Sequence, residues 1–362
     1  MIRVLQVIHS MNLGGAENFI MNVYRNIDRS KIQFDFLVNE EGIFDTEIRQ
    51  MGGKIWEIPY VNKVGPIRYR RELKRFFQTH TEYQVIHSHL DMVSGEVVEC
   101  AKKAGVKCCI THSHSTDTTG NWCVKRLKEY YQTKVLRYAD VYMACSEQAG
   151  QWLYKNDEAI VIKNAIDVDK FCFREDIRED LRRKYHISDE TTVLGHVGRF
   201  SKVKNHEFLL NLFELYCREH GAAILLLCGT GDLKINIQKQ VAAKHLQDRV
   251  IFFDASTDVY KMYNIMDVFV FPSLYEGMSL AMLEAQANGL PIVASDTVDD
   301  KIALTDQVTF LNLDDVSEWI VAIEGAVRSE SQDAGQALRN AGYDIGQVAR
   351  MLENYYEQGA EI

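Results

Sequence analysis

Two glutamates in the last third of the chain have the spacing and surroundings to hold the hydroxyl groups of a sugar. Glu276 and Glu284 lie eight residues apart, the first in a polar loop and the second in the second turn of a predicted helix, Leu280 to Asn288. Between them, Gly277-Met278-Ser279-Leu280 would form the helix N-terminus, where unpaired N–H groups and the helix dipole favour phosphate. Together they predict a nucleotide-sugar site. The alternative is that Glu276 caps the helix and Glu284 faces solvent.

Two cations follow the buried strand that begins at Thr192. Arg199 and Lys204 are five residues apart and flank a predicted helix start at Asn205 or His206. Arginine offers a planar fork of donors and lysine a point charge, so the pair suits a diphosphate that leaves with its negative charge. The alternative is a pair of surface cations.

Two glycine loops follow predicted strands. Gly14 and Gly15, in Leu13-Gly14-Gly15-Ala16-Glu17, open a helix after the first strand, and Gly229 and Gly231 flank Thr230. Glycines let backbone approach a ligand closely. Neither loop is the G-x-G-x-x-G pattern of dinucleotide-binding proteins, which disfavours an NAD site. For the first loop, a plain strand-to-helix turn is the alternative.

Four histidines come in two His-Ser-His pairs at predicted strand ends. They are His87 with His89 and His112 with His114. On an extended segment both rings of a pair share one face, an arrangement that can bind a metal. Third and fourth ligands with cysteine or carboxylate spacing are missing, so we expect no metal. Histidines merely hydrogen-bonded in loops remain the alternative.

These residues follow apolar runs that alternate with amphipathic segments, the pattern of doubly wound parallel sheets. At 362 residues the chain is long for one core and predicts two domains. In the first half, the predicted strands are Val4–Ile8, Phe34–Val38, Val85–Ile86, Cys108–Ile110 and Val141–Ala144, and the predicted helices are Ala16–Ile27, Arg68–Gln78 and Gly95–Ala104. In the second half, strands at Ile224–Cys228, Val250–Phe253 and Val268–Phe271 alternate with helices such as Ser256–Met262.

The run S-L-Y-E-G-M-S-L from Ser273, followed by E-A-Q-A-N-G-L-P-I-V-A-S from Glu284, resembles the donor-site signature of retaining glycosyltransferases of the GT-B fold, the glycosyltransferase group 1 family. Three more segments resemble motifs of that family: V-G-R at Val197 followed by Lys204-Asn205, G-T-G-D at Gly229, and N-A-I-D at Asn164. Ala165 stands where the family usually has glycine. The H-S-H-S segment resembles members from bacterial surface-polysaccharide clusters.

The resemblance implies an α/β GT-B fold, with two Rossmann-like doubly wound domains facing a cleft. It implies that Glu284 binds the ribose hydroxyls and that Glu276 binds the transferred sugar. It also implies that the Gly14-Gly15 loop contacts the donor diphosphate. His114 is favoured over His112 as the histidine beside the transferred sugar, with His112 and Asn164 as further cleft candidates. The expected domains are an acceptor-binding domain, residues 1–168, joined by a helix at about 341–362, and a linker with a nucleotide-sugar domain, 169–340. The charged segment Asp169–Glu190 is predicted to be a linker helix rather than core.

Composition limits the location and the partners. The eight cysteines lack metal-type spacing, which suits reduced thiols, and the N-terminus is predicted to be a first strand and no signal peptide, so we expect a cytoplasmic protein. The net charge of −10 falls on the residues after Val168, while those before it are nearly balanced. This acidity makes nucleic acid an unexpected partner.

The basic segment Pro66–Phe77 suggests a peripheral contact with the inner face of the membrane. It combines arginines and a lysine with Tyr69, Leu73, Phe76 and Phe77, as in helices that lie in a bilayer interface. The alternative is a surface helix whose apolar stripe packs on the sheet.

The sequence thus predicts an enzyme that moves a sugar from a nucleotide-sugar, most simply a UDP-sugar, to a saccharide or lipid-linked saccharide in surface-polysaccharide synthesis, with retention and without metal or other cofactor. A nucleotide-sugar epimerase on the same architecture and a non-catalytic donor-binding subunit are the alternatives. The second of these should have lost the cations or the glutamates, and all four are present.

Overall fold

The computed structural model describes residues 1–12, 14–117, 121–155, 158–253, 258–328 and 331–361. The chain divides into two compact units, Met1–Ala165 with Ile345–Ile362, and Ile166–Asp344. The boundary falls three residues before the predicted one. The backbone N–H of Ile166 donates to the carbonyl of Tyr343, also in the second unit, at 3.0 Å.

The first unit is a seven-stranded parallel sheet with strand order β3-β2-β1-β4-β5-β6-β7. Its strands are β1 (Ile2–Val7), β2 (Ile32–Val38), β3 (Ile55–Glu57), β4 (Val85–Ser88), β5 (Cys108–Ser113), β6 (Val141–Ala144) and β7 (Ile160–Val161). Its helices between strands are α1 (Gly15–Asn26), α2 (Asp45–Gln50), α3 (Val61–Thr79), α4 (Ser94–Lys103), α5 (Trp122–Tyr138) and α6 (Glu147–Tyr154).

The second unit is a six-stranded parallel sheet with order β10-β9-β8-β11-β12-β13. Its strands are β8 (Thr192–Val197), β9 (Ala223–Cys228), β10 (Val250–Phe253), β11 (Val268–Phe271), β12 (Ile292–Ser295) and β13 (Val308–Leu311). Its helices are α7 (Val168–Phe171), α8 (Glu175–Lys184), α9 (His206–His220), α10 (Lys234–Ala243), α11 (Val259–Ile265), α12 (Leu280–Ala287), α13 (Val316–Glu324) and α14 (Ser331–Asn340). The final helix, α15 (Ile345–Glu361), packs in the first unit against α1, β1 and β4.

Strand burial explains the apolar runs. All residues of β2, β4, β5, β11 and β12 are buried, as expected where helices cover both faces of a parallel sheet. The two doubly wound sheets confirm the predicted α/β architecture. The start of the predicted Ser256–Met262 helix lies outside the described residues, and α11 begins at Val259. Among the described helices, none is long and apolar enough to cross a membrane.

Helix α3 answers the question left open for the basic segment. Tyr69, Leu73, Phe76 and Phe77 are at most 7% exposed and belong to the core beside the sheet. Arg70 is bound to Glu96 and Glu99 of α4. The apolar stripe is therefore not available to a bilayer, and that part of the membrane prediction is wrong. Arg68, Arg71, Lys74 and Arg75 remain exposed.

Helix α8 is not the free linker that its charge pattern predicts. Leu181 is 9% exposed and lies in the core of the second unit, where α8 packs on α11. Arg178 and Arg182 form ion pairs with Asp267 at 2.5 and 3.4 Å. The pattern misleads because long arginine side chains can cover apolar surface while their charged ends find partners.

Candidate donor and acceptor sites

The strand order of the second sheet reverses between β8 and β11, which are neighbours although two strands and three helices of the chain separate them. Open α/β sheets bind ligands at such switch points, outside the carboxyl ends of the strands. Arg199 follows β8 and Glu276 follows β11. The topology therefore brings two of the predicted site segments to the same edge.

Lys204 and Glu276 meet at this edge. The Lys204 Nζ lies 2.7 Å from Glu276 Oε1 and 4.3 Å from the centre of the Phe271 ring. Burial lowers the pKa of Lys204, and the Glu276 carboxylate partly offsets that effect. A backbone hydrogen bond from Leu274 to Val203 fixes the two loops to each other at 2.8 Å. The ammonium is thus held and partly dehydrated, and it faces the Glu276 carboxylate.

Arg199 is exposed and lines a cavity of about 500 Å³. The other residues lining this cavity belong to two loops and are Phe200, Ser201, Lys202, Thr230, Gly231, Asp232 and Leu233. The volume is in the range of pockets that take small-molecule ligands. One of the two predicted diphosphate cations, Arg199, therefore lines a cavity of ligand size.

Gly229 and Gly231 are required by contact between these two loops. A Cβ on Gly229 would lie 2.0 Å from the carbonyl oxygen of Gly198, and one on Gly231 would lie 2.6 Å from that of Phe200. Both have positive φ, 156° and 146°. Their demonstrated role is close backbone packing, and direct contact with the donor stays a prediction.

The predicted phosphate-binding segment leads into α12, which begins at Leu280. Ser279 is the N-cap residue, and its side chain makes no capping hydrogen bond. Gly277 has open space where a Cβ would be, and Met278 is 40% exposed. Because no side chain of the cap residue satisfies the first-turn N–H groups, they are available to an anion. Glu276, which the alternative would make a cap, pairs with Lys204 instead.

Glu284 is partly buried on α12 and accepts a hydrogen bond from the Tyr263 hydroxyl at 2.7 Å. Burial raises the pKa of Glu284 to about 7, while the Tyr263 hydroxyl and Lys170 act in the opposite direction. A carboxyl group on a helix facing water would keep its ordinary pKa. Glu284 is therefore a dehydrated carboxyl group and not the solvated face residue of the alternative.

The raised pKa makes the stability of the unliganded second unit depend on pH. Because the folded-state pKa exceeds the ordinary value, the stabilising contribution is complete below about pH 4.5 and is lost as pH rises through 7. We expect the wild type to lose up to about 3 kcal/mol of stability from this group between pH 5 and 8. Glu284→Gln should be less sensitive to pH over that interval in thermal unfolding scans. Parallel curves for the two proteins would contradict the assignment.

In the first unit, Gly14 is the N-cap residue of α1 and Gly15 is its first residue. The atoms nearest to a Cβ on Gly14 would be those of the Glu17 carboxylate, a flexible group, and a Cβ on Gly15 would meet nothing within 4 Å. Packing within the protein therefore does not demand either glycine. Leu13 lies outside the described residues.

The two histidine pairs, predicted separately, converge at the carboxyl ends of β4 and β5. His89 Nδ1 lies 2.8 Å from His114 Nε2, and the His112 and His114 rings stack with centres 4.3 Å apart. His112 belongs to β5, which runs three residues past its predicted end, so its ring is fully buried. His114 is partly exposed, and burial lowers its pKa to about 4. Asp91 holds it by accepting from its backbone N–H at 2.9 Å.

Because the two pairs come together in the fold, three histidines are close enough to be candidate metal ligands, whereas the sequence spacing offered only two at a time. Ligand atoms of His87, His89 and His112 lie within 4.8 Å of one another. Both ring nitrogens of His89, however, already have partners, Gln6 and His114. Of the three, His87 has one buried ring nitrogen without a hydrogen-bond partner, Nε2, and His112 has both. The cluster is therefore organised by hydrogen bonds.

Asn164 lies directly before the boundary between the units, and its Oδ1 is buried without a hydrogen-bond partner. Ala165 is buried and does not have positive φ, so the turn accepts a Cβ where the family usually has glycine. Asn164 as a ligand-binding residue stays a prediction.

Three residues of these sites were missed from the sequence. Tyr263 binds Glu284, while Gln6 and Tyr356 contact the histidine cluster. Signals existed for two of them: Tyr263 comes directly after the predicted helix Ser256–Met262, and Gln6 is the polar residue inside the predicted apolar strand Val4–Ile8. Tyr356 falls in the helix predicted at about 341–362, and no local pattern distinguishes it from the other aromatic residues there.

The two doubly wound parallel sheets, with a candidate site at the β8–β11 switch point, have the architecture of the GT-B fold. The family model described as glycosyl transferases group 1 matches residues 177–302, and the one described as glycosyltransferase family 4 matches residues 13–170. The chain is 33% identical over 374 residues to the putative glycosyltransferase EpsF of Bacillus subtilis (strain 168), covering 99% of this chain and 97% of that protein.

A more distant relative is the Escherichia coli UDP-Gal:alpha-D-GlcNAc-diphosphoundecaprenol alpha-1,3-galactosyltransferase, 26% identical over 269 residues, which cover 67% of this chain and 66% of that protein. Among solved structures, Anabaena Alr3699/HepE in complex with UDP has a TM-score of 0.75 at 17% identity and covers 99% of this chain and 100% of its own. The chain belongs to the group 1 glycosyltransferases, and it is a glycosyltransferase enzyme.

Proposed function

We propose that this enzyme transfers a sugar, with retention of configuration, from a UDP-sugar to a saccharide or lipid-linked saccharide in surface-polysaccharide synthesis. The observation that carries the proposal is the Lys204–Glu276 pair at the switch point of the second sheet. The Escherichia coli relative, named for a UDP-Gal donor and a diphosphoundecaprenol-linked acceptor, supports the donor and acceptor classes.

The donor would bind the second unit. Lys204 and Arg199 neutralise the charge that develops on the leaving diphosphate, which is electrostatic stabilisation of a transition state. The first-turn amides of α12 add donors, Glu284 accepts from ribose hydroxyls, and Glu276 accepts from the transferred sugar. Here the two carboxylates position the substrate, unlike the acid and nucleophile of a glycoside hydrolase.

The acceptor would bind the first unit, which also supplies His114 beside the transferred sugar and the Gly14-Gly15 loop over the donor diphosphate. His114 is neutral at physiological pH because burial lowers its pKa. A neutral imidazole has one donor and one acceptor nitrogen, so it can orient a hydroxyl group without adding charge.

The test is a donor screen followed by an acceptor-dependent assay. A nucleotide-sugar that binds the folded state raises the unfolding temperature by mass action, so the best of a panel of UDP-, GDP- and ADP-sugars should stand out. With that donor, release of UDP should require an acceptor, and the anomeric configuration of the product should match that of the donor. An epimer formed from donor alone would favour the epimerase alternative. Donor binding without turnover on any acceptor would favour the non-catalytic subunit.

We propose that the reaction needs no metal, because Lys204 and Arg199 supply the positive charge that a divalent cation supplies in other transferases. We expect turnover after chelation and dialysis to stay near that of the untreated enzyme, and added Mg²⁺ or Mn²⁺ to change it little. A loss that is restored by one specific cation would contradict this proposal.

A lipid-linked acceptor would require contact with a membrane, and the exposed face of α3 is the candidate surface. Each cation near an anionic bilayer contributes about 1 kcal/mol. We expect the protein to sediment with anionic but not neutral vesicles, less so in high salt and less for Arg68/Arg71/Arg75→Ser. Arg70 is left intact because Glu96 and Glu99 bind it.

The matched control replaces three exposed cations of the second unit, Arg183/Lys184/Lys239→Ser. It should sediment as the wild type does. If the protein sediments equally with both kinds of vesicle and independently of salt, α3 does not bind the membrane and its cations contribute only to solubility.

A further inference from the structure

A chain of hydrogen bonds leads from the interior of the first sheet to His114. Gln6 of β1 is 1% exposed, and its Oε1 lies 2.9 Å from His89 Nε2. His89, which follows β4 and is also buried, places its Nδ1 2.8 Å from His114 Nε2. Since β1 and β4 are adjacent in the sheet, with Gln6 opposite His87, the backbone holds this chain in place.

The Gln6 amide has a fixed direction in this chain. Its NH₂ group donates to the hydroxyl oxygen of Tyr356 at 3.4 Å. The Tyr356 hydroxyl lies 2.8 Å from His87 Nδ1, to which it can donate in turn. The carbonyl oxygen of Gln6 therefore points to His89, and a carbonyl oxygen can only accept a hydrogen bond.

The positions of the ring protons follow one after another. His89 Nε2 must carry a proton to donate to Gln6. Burial lowers the pKa of His89 well below its ordinary value, so the ring is neutral and its Nδ1 has a lone pair. His114 Nε2 must then donate to that lone pair. Because the His114 ring is also neutral, its remaining nitrogen, Nδ1, is an acceptor.

We infer that Gln6 and His89 are positioning residues that fix the tautomer of His114, so that its Nδ1 permanently offers a hydrogen-bond acceptor to a substrate hydroxyl. The inference rests on the proposed function for its role in transfer, although the tautomer itself does not. A free imidazole would exchange between two tautomers, and part of the population would present an N–H group instead. When one tautomer is fixed, every molecule already presents the acceptor nitrogen before the substrate binds.

The consequence is selectivity for one class of substrate group. An acceptor nitrogen binds a hydroxyl group, which can donate, and leaves an ether or a carbonyl oxygen at the same place without a partner. A site with a buried polar group strongly rejects a substrate analogue that leaves this group without a hydrogen bond. An apolar pocket discriminates much less between a substrate and an analogue that carries one additional group. We therefore expect the sugar position that meets His114 to need a free hydroxyl, and its O-methyl analogue to be a poor substrate.

The direct test reads the protons on the ring of His114 in the unliganded protein. In a long-range ¹H–¹⁵N spectrum of protein labelled on histidine nitrogens, Nδ1 and Nε2 are distinguished by their couplings to the ring protons, and a protonated nitrogen by its shift. The His114 signals are assigned by their loss in His114→Gln. We expect Nε2 protonated and Nδ1 unprotonated in the wild type. A protonated Nδ1 would overturn the inference whether or not the protein transfers sugar.

Variants then test whether Gln6 and His89 are the cause. Gln6→Met keeps the side-chain length without an acceptor oxygen, and His89→Phe keeps the ring without nitrogens. Both should give mixed His114 tautomers. His112→Phe is the matched control, because the His112 ring stacks on His114 yet makes no hydrogen bond to it. His114 should keep the wild-type tautomer in that variant, and a wild-type tautomer in Gln6→Met and His89→Phe as well would refute the role of the chain.

Kinetics connects the tautomer to function. With the donor identified in the screen, kcat/KM of Gln6→Met should fall about tenfold, the effect of losing one hydrogen bond. Its discrimination against the O-methyl analogue should fall as well, since the mixed tautomers accept both. A mixed tautomer with unchanged kcat/KM would overturn the positioning role and leave the proposed transfer intact. Absence of transfer by the wild type would instead refute the proposed function.

Discussion

We expect the Lys204→Ala protein to transfer sugar about 10²- to 10³-fold more slowly than the wild type, by comparison with the loss of one preorganised donor from an oxyanion site. The Lys204 ammonium is partly dehydrated and held 2.7 Å from Glu276, so it is already in place when the diphosphate begins to leave. A charge that needs no reorganisation stabilises the transition state more than a mobile surface charge does. Arg199→Ala should be slower as well, because the Arg199 guanidinium lines the neighbouring cavity and can donate two hydrogen bonds to a diphosphate.

Stability should change little in the same variant. The side chains of Lys204 and Glu276 are 13% and 22% exposed, so the pair is in contact with solvent. Such ion pairs contribute about 1 kcal/mol or less to the free energy of unfolding. The control is Lys239→Ala, which removes the same charge from an exposed position on α10 of the same unit and should turn over normally. The measurements are steady-state rates and thermal unfolding. Wild-type turnover in a folded Lys204→Ala protein would defeat the assignment of the leaving-group cation.

The positions of these candidate site residues could be predicted from the sequence because the residues stand at the ends of apolar runs. In a parallel sheet every strand carries its following loop to the same edge, so Arg199 after β8 and Glu276 after β11 could be placed without knowledge of any contact. The same reasoning placed His114 near the end of β5. Strand positions and the α/β class follow from local patterns, and these were predicted well.

Pairing between side chains could not be predicted in this way. Lys204 and Glu276 are distant in sequence, and each looked like a ligand-binding residue without the other; their contact depends on β8 and β11 being neighbours. The partner of Glu284, Tyr263, belongs to a preceding helix. Local patterns show which face of an element is apolar but not what covers it. This is why the stripe of α3 looked equally suited to a bilayer and to the sheet, and why α8 looked like a linker.

Glu276 pairs with Lys204 and Glu284 with Tyr263, so we expect substitution of the two glutamates to affect ligand binding differently. Glu284→Ala should weaken UDP and the intact UDP-sugar alike, by about 10- to 100-fold, because a carboxylate that accepts from ribose hydroxyls serves both ligands and charged hydrogen bonds are the stronger kind. Glu276→Ala should weaken the intact donor only. Because it frees Lys204 from its present partner, UDP should bind at least as tightly as to the wild type.

Isothermal titration of each variant with UDP and with the UDP-sugar chosen in the donor screen separates the two roles. Glu318→Ala, which removes an exposed carboxylate from α13 of the same unit, should bind both ligands as the wild type does. Glu284→Gln adds a second comparison, since it keeps an acceptor oxygen for the Tyr263 hydroxyl but carries no charge. Its affinity for UDP should lie between those of the wild type and Glu284→Ala, with the gap to the wild type widening as pH rises through 7. Equal losses for both ligands in both alanine variants would mean that the glutamates act as one unit, and the division between ribose and sugar would have to be abandoned.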